Sequence, residues 1–288
     1  MKVAYAELSG ELSGRSIEDD ATQRAWVIRS NILHGHAVGP QWHGLTLRYV
    51  GRGTEHYRIG GRHYRVGDDQ FMIAPQQMGS EAEIRRSELK GTLGLCIFLP
   101  TGDGAADLLV DAPVILPASC MLGTALRNAL QRLSLPAPAI DEPWRVAAEA
   151  KRLAAETLLA LDDQVEAVAG LKRRTRFEAV RRMNSARAYL HSVTSRPVPL
   201  DELALEVAVS PFQLLRSFRD CFGETPASYH RRLRLNLARH AVEGDGHSYA
   251  FVADRFGFAD GSSFSHAYKR TFGEPPVRRL RPGEAAHA

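Results

Sequence analysis

The chain has 288 residues, 44% of them apolar and 24% charged, a balance that suits a globular protein of one large or two ordinary domains and excludes disordered and collagen-like classes. No run of 18 apolar residues marks a membrane span, MKVAYAELSGELSG lacks the apolar core of a secretory signal, and three scattered cysteines (Cys96, Cys120, Cys221) form neither a metal motif nor a disulfide frame, so a cytoplasmic protein is expected. The net charge of +4 hides an asymmetry: residues 171–288 hold 20 Lys and Arg against 12 Asp and Glu, whereas residues 1–170 hold 17 against 21. A basic segment of this kind can release counterions from a phosphate backbone or simply be solvated; the acidic part gains nothing near nucleic acid.

Residues 42–98 read as β-structure. Leu45, Leu47 and Tyr49 alternate with Thr46, Arg48 and Val50, the period of two expected of a half-buried strand. Tyr57 and Ile59 lead into Gly60-Gly61, and Arg62 to Val66 follow. Two glycines between alternating runs predict a tight hairpin, because a type I′ turn needs positive φ at both central positions. Phe71-Met72-Ile73, stopped by Pro75, and Leu93, Leu95 and Ile97 mark further strands, and short strands at this spacing predict a small barrel or sandwich. The period then becomes helical. Met121, Leu122, Ala125, Leu126, Ala129, Leu130 and Leu133 form one stripe, broken by Pro136 and Pro138. A second helix is expected from Pro143 to about Val168. Gly170 and Lys172-Arg173-Arg174 read as a connector, and every apolar pattern from Arg176 onward is helical. The expected division is 1–118 β-rich, 119–175 a helical linker or dimerisation region, and 176–283 all-α.

The C-terminal part repeats itself. Phe218-Arg219-Asp220-Cys221-Phe222-Gly223-Glu224-Thr225-Pro226 matches Tyr268-Lys269-Arg270-Thr271-Phe272-Gly273-Glu274-Pro275-Pro276, and Leu203-Ala204 matches Val252-Ala253. Each unit reads as helix, tight turn, helix. In the first, Leu200, Leu203, Ala204 and Val207 form the stripe, Ser210 is the expected N-cap before Pro211, and Leu214, Phe218 and Phe222 face the core. In the second, Tyr249, Val252, Ala253 and Phe256 form the stripe, Gly257 ends the helix, Asp260 is the N-cap, and Phe264, Tyr268 and Phe272 face inward. A helix from about Ala227 to Val242 joins the two. One such pair occurs in many helical bundles. Two in tandem on a basic segment suit DNA, because the second helix of each fits the major groove and two copies roughly 34 Å apart reach adjacent grooves on one face.

These residues resemble the AraC/XylS family of transcription regulators over roughly 178–281. The resemblance rests on Leu203-Ala204, Ser210-Pro211, Arg234-Leu235 with Ala238, Gly257-Phe258, Phe264, Tyr268-Lys269, Phe272-Gly273 and Pro276. It implies an α+β chain: an N-terminal cupin-like β-barrel or sandwich with a helical linker, and a C-terminal all-α domain of two helix-turn-helix subdomains. It also implies binding to double-stranded promoter DNA, action on RNA polymerase, and an N-terminal part that senses a small-molecule effector, dimerises, or both. Four positions depart from the pattern. Pro199 stands where a Ser or Thr cap is usual, Ala208 replaces a turn glycine and invites strain, Leu215 occupies a place that often holds a polar base reader, and His266 stands where Arg is frequent.

The expected DNA-facing residues are Phe212, Gln213, Leu215, Arg216 and Arg219 on the first recognition helix, and Ser262, Ser265, His266, Lys269 and Arg270 on the second. Arg216 is the expected base reader, since a guanidinium pairs bidentately with guanine. Phe212 and Leu215 suit thymine methyls, or else pack on neighbouring helices. Lys269 and Arg270, with Arg231 and Arg232, suit phosphates. Small hydroxyls and a neutral imidazole read more weakly than arginine, so the first subdomain is expected to supply more specificity. In the β-domain, Trp42, His43, Tyr57, Tyr64 and Phe71 are candidates to line an effector cavity, with core packing as the alternative for each. A metal-dependent enzyme is the competing class. His34-Gly35-His36 has the HxH form, but no Glu follows closely and Glu55-His56 comes much later, so no metal, cofactor or catalytic residue is assigned. A homodimer is expected, because two linked sites add avidity.

Overall fold

The computed structural model describes residues 2–15, 24–38, 44–75, 80–84, 91–100, 112–168, 172–244 and 247–276. They divide into two compact units, Met1–Ala188 and Tyr189–Ala288.

The first unit is a nine-stranded sheet with helices. Its strands are β1 (Lys2–Arg15), β2 (Arg24–Val38), β3 (Gly44–Arg52), β4 (Glu55–Ile59), β5 (Arg62–Val66), β6 (Gln70–Pro75), β7 (Ser80–Ile84), β8 (Thr92–Pro100) and β9 (Val114–Pro117). The order is β5-β4-β7-β2-β8-β3-β6-β9, antiparallel throughout, with β1 added in parallel to β2. The ends of this order meet in one core. Tyr64 and Val66 of β5 pack in the same cluster as Met72 and Ala74 of β6 and Ile115 of β9, so the sheet curls into a nearly closed barrel. β2 is the bent strand that permits this. Trp26 to Ile32 pair with β8, and Gly35 to Val38 pair with β7. The Gly60-Gly61 hairpin forms as the sequence predicts, with φ of 57° and 75° and Ile59 opposite Arg62.

The sequence reading began the β-region at residue 42 and so missed β1 and β2. Neither shows a regular alternation: β1 carries Ser-Gly twice, and the burial along β2 changes phase where its partner changes. On β3 the alternation is real, but both faces are covered. Tyr49 donates to Asp69 Oδ1 at 2.9 Å on the face that also receives Arg127 of α1 (Met121–Leu133), while Thr46, Arg48 and Val50 are buried on the other face. α1 packs at Gly51, where an added Cβ would lie 2.7 Å from the Leu130 side chain. α2 (Glu142–Ala167) pairs with α1 through Arg132–Glu142 at 2.5 Å.

Among the described residues of the expected basic connector, Arg173 and Arg174 are helical. α3 (Arg173–Ser192) starts inside it, where Arg173 pairs with Asp162 and Arg176 with Glu166 at 2.9 Å, both on α2. Further along α3, Arg181 lies 5.8 Å over the Tyr64 ring and the Ala188 carbonyl accepts from Gln70 Nε2 at 2.8 Å. The division into two compact units falls within α3, between Ala188 and Tyr189. Among the described residues no helix is long and apolar enough to cross a membrane.

The second unit holds α4 (Leu200–Glu206), α5 (Pro211–Phe222), α6 (Pro226–Arg239), a π-helical turn (His240–Gly244), α7 (Tyr249–Arg255) and α8 (Gly261–Phe272).

Candidate nucleic-acid interface

The two helix pairs share one backbone plan. In the first turn Val209 N–H donates to the Ala204 carbonyl at 3.0 Å; in the second Phe258 N–H donates to the Ala253 carbonyl at 2.8 Å. Both turns hold a residue at positive φ, Ala208 at 53° and Gly257 at 67°. Each following helix is N-capped as expected: Ser210 Oγ accepts from Gln213 N–H at 3.2 Å, and Asp260 Oδ1 from Ser263 N–H at 2.6 Å. The Ser263 amide also holds the Asp260 carboxyl below its ordinary pKa. Each recognition helix ends on a left-handed glycine, Gly223 and Gly273. Pro199 gives α4 no side-chain cap.

Buried rings fix which face each helix turns outward. Leu214 and Phe218 anchor α5, and Phe264 and Tyr268 anchor α8; all four are completely buried. Phe218 meets Phe222 edge-on with centroids 4.7 Å apart, and Phe264 meets Tyr268 in the same manner at 5.7 Å. The spacing of three and four then leaves Phe212, Gln213, Arg216 and Arg219 exposed on α5, with Leu215 half-buried. On α8 it leaves Ser262, His266, Lys269 and Arg270 exposed, with Ser265 half-buried. The Ser265 hydroxyl donates to the Gly261 carbonyl at 2.9 Å, and Arg216 lies 4.0 Å from Asp220. Arg231 and Arg232 are both exposed; Arg232 is held by Glu224 and lies 5.4 Å over the Tyr229 ring.

α6 joins the halves through two buried polar side chains. His230 Nε2 donates to the Val193 carbonyl at 2.7 Å, ahead of α4. Burial pushes its pKa down to about 4, so it is neutral at pH 7. One turn later Arg234 Nη1 donates to the carbonyls of Phe256 and Gly257 at 2.9 and 3.0 Å, in the second turn, and stacks over Phe258. Tyr268 is tied to Glu243 of the π-helical turn, which also pairs with Arg239 at 3.0 Å.

Residues 203–281 match a family described as a helix-turn-helix domain. The HTH-type transcriptional regulator ArgR of Pseudomonas aeruginosa is 37% identical over 92 residues, 31% of this chain and 28% of ArgR. The HTH-type transcriptional activator RhaS of Escherichia fergusonii is 35% identical over 105 residues, 36% of this chain and 37% of RhaS. The chain belongs to the AraC/XylS family through this domain. Among solved structures, a transcriptional regulator with an AraC-type DNA-binding domain from Chromobacterium violaceum is 30% identical; the match covers 33% of this chain and 85% of that one, with a TM-score of 0.32. The matched stretch spans well under two thirds of either curated relative.

The helix-turn-helix match at residues 203–281 lies in the second unit, and the proposed effector residues lie in the first. Trp42 and His43 fall outside the described residues. Tyr57 and Tyr64 face each other across β4 and β5, both buried, and Phe71 is fully buried on β6 opposite Tyr49. Of these three, Tyr57 lines a cavity inside the barrel; its other walls include Arg48 and Glu55, which the sequence reading did not single out. His34 pairs with Glu11 at 3.0 Å and His36 lies 3.8 Å from Glu81. Among the described residues no group of three or more His, Cys, Asp or Glu side chains is arranged to hold a metal ion.

Proposed function

We propose that this chain is a promoter-binding transcriptional regulator that reads one face of the duplex through α5 and α8 and responds to a small molecule held in its first unit. The observation that carries the reading is the duplicated motif: two N-capped helices, each anchored by two buried side chains, each turning a polar or cationic face to solvent.

In this reading Arg216 pairs with guanine, and Asp220 holds its guanidinium in the direction of the groove. Phe212 is 78% exposed, a large apolar surface that thymine methyls cover in the complex. Gln213 and Arg219 reach base or backbone beside it, and Leu215 adds apolar contact. On α8 the readers are Ser262 and His266, with Ser265 contributing only the part of its hydroxyl not bonded to Gly261. Lys269 and Arg270 hold phosphates. The first subdomain therefore carries more of the specificity. RNA polymerase is the protein partner, a homodimer doubles the number of contacted half-sites, and the working compartment is the cytoplasm, at the nucleoid.

The test compares Arg216→Ala with Arg270→Ala on a defined operator and on scrambled DNA. Arg216→Ala is expected to cost about 1–3 kcal/mol on the operator and to relax sequence preference. Arg270→Ala is expected to weaken all DNAs alike and lower the salt dependence by about one phosphate. Equal, sequence-independent losses from both would overturn the assignment of roles.

A further inference from the structure

A cavity of about 60 Å³ lies inside the barrel where β2 leaves β8 for β7. Its walls are mainly apolar, with Ile28 and Ile32 from β2, Ile84 from β7 and Phe98 from β8 among them. Three ionisable or phenolic groups intrude: Arg48 from β3, and Glu55 and Tyr57 from β4. All three are at least nine-tenths buried, with exposures of 8%, 7% and 3%. Gly94 makes room for them, since a Cβ there would stand 2.9 Å from Glu55 Oε1.

The hydrogen bonding in this cavity is unevenly satisfied. Tyr57 donates its hydroxyl to Glu55 Oε2, so each answers the other. Arg48 does not find comparable partners. Its Nη2 reaches Ser80 Oγ at a long 3.3 Å, and its Nε–H is buried with no acceptor. The guanidinium carbon lies over the Tyr57 ring at 4.6 Å and the Phe98 ring at 5.7 Å, so aromatic faces and not acceptors surround much of it. A buried cation with unused donors is costly unless something accepts from it. Glu55 and Tyr57 stand close enough to support the charge of Arg48, but neither accepts from its Nε–H. Burial pushes the Cys96 thiol up to about 11, and it pushes the Glu55 carboxyl up as well, against the pull of Tyr57 and Arg48.

We propose that this cavity is the effector site and that it takes a small monocarboxylate, with the carboxylate on the donor edge of Arg48 and a body of a few carbons against Ile28, Ile32, Ile84 and Phe98. The inference rests on reading the first unit as a sensor. A carboxylate fits because the unmet capacity is donor capacity: two acceptor oxygens match the edge of a guanidinium. A polyol brings several donors of its own into a space whose acceptors are largely engaged, and meets Arg48 with neutral oxygens only. The apolar walls then select the carbon body by contact and exclude water from the charge pair, which strengthens it.

The test uses the full chain and four probes, acetate, propanoate, butanoate and benzoate, each against its own amide, with binding read by calorimetry and by the shift in Tm. At least one carboxylate is expected to bind about tenfold or more tightly than its amide, the ratio a charge-assisted hydrogen bond supports, and to raise Tm in proportion to its saturation. Arg48→Met is expected to abolish that preference. Should Arg48→Met fail to fold, Ala82→Leu fills the cavity from its apolar side with Arg48 intact and is expected to remove binding of the same probe. Equal affinity for acid and amide, retained binding in Arg48→Met or Ala82→Leu, or no binding of any of the four by a chain that still binds DNA, would overturn the inference and leave the DNA-binding reading standing. Loss of DNA binding by the unmodified chain would instead count against that reading.

Discussion

The two helix-turn-helix units share a backbone and differ in what each turn can tolerate. Both turns need a left-handed residue. In the second it is Gly257, and the Ser195 carbonyl sits 2.5 Å from where a Cβ would go. In the first it is Ala208, which carries its Cβ at φ 53°. A left-handed L-residue costs roughly 1–2 kcal/mol, which a packed unit can absorb; a clash with backbone cannot be relieved by a side-chain rotation. The comparison separates two roles of glycine that a sequence shows as one letter: conformational freedom alone in the first turn, and freedom together with close approach in the second.

The largest effect is expected where both roles coincide. Gly257→Ala should lower the unfolding free energy of the second unit by roughly 2–4 kcal/mol, the sum of left-handed strain and overpacking, as measured by urea denaturation. A change under about 1 kcal/mol would mean that the turn and the segment at Ser195 move apart freely. Next in size, Arg234→Met should cost about 2–3 kcal/mol, because two buried carbonyls of the second turn lose a charged donor.

The linking helix offers a way to stress the first half alone. His230 has a pKa of about 4 in the fold against 6.5 for an unperturbed histidine, with burial as the main cause. The unfolded chain therefore binds the proton first. Stability is complete above about pH 6.5 and falls as the pH drops toward about 4, by roughly 2–3 kcal/mol. Glu202, held down to about 2 chiefly by its bonds to Arg196 and then Tyr189, titrates below this window. His230→Gln, which keeps a donor for Val193, should flatten the pH dependence measured by urea unfolding between about pH 7 and about pH 5. An unchanged slope would assign the acid sensitivity to another group.

Smaller effects sharpen the comparison. Ser210→Ala and Asp260→Ala should each cost about 1 kcal/mol by removing an N-cap, with the Asp260 effect the more salt-sensitive because a carboxylate faces the helix dipole. Ala208→Gly should stabilise by up to about 1 kcal/mol, since relief of strain outweighs the added freedom of the unfolded chain only narrowly. A loss of stability on Ala208→Gly would show that the first turn has no strain to relieve.

Much of the second unit was legible in the sequence. The repeat, the caps at Ser210 and Asp260, the closing glycines and the buried stripes depend on local spacing, and local spacing survives folding. The strain at Ala208 was legible for the same reason. The close approach at Gly257 was not, because Ser195 is distant in sequence. In the first unit the hairpin at Gly60-Gly61 was legible, but β1 and β2 were not. Arg48 illustrates the harder case. The alternation on β3 placed it correctly, opposite to Leu47 and Tyr49, and a polar residue on that face suggests solvent. Closure of the barrel turns that face inward, so the same periodicity buries a cation. Polar residues on two strands consecutive in the chain, Arg48 on β3 and Glu55 with Tyr57 on β4, were the available signal, and only closure of the barrel, with β7, β2 and β8 between them, gives it meaning.

The most direct test of the account is hydroxyl-radical footprinting of the full chain on an operator obtained by selection from random DNA. Two protected patches on one face of the duplex, about 10–10.5 base pairs apart, are the expected result, with the patch nearer α5 fading first in Arg216→Ala. A single patch, or two patches on opposite faces, would contradict the claim that both recognition helices engage the same side of the DNA.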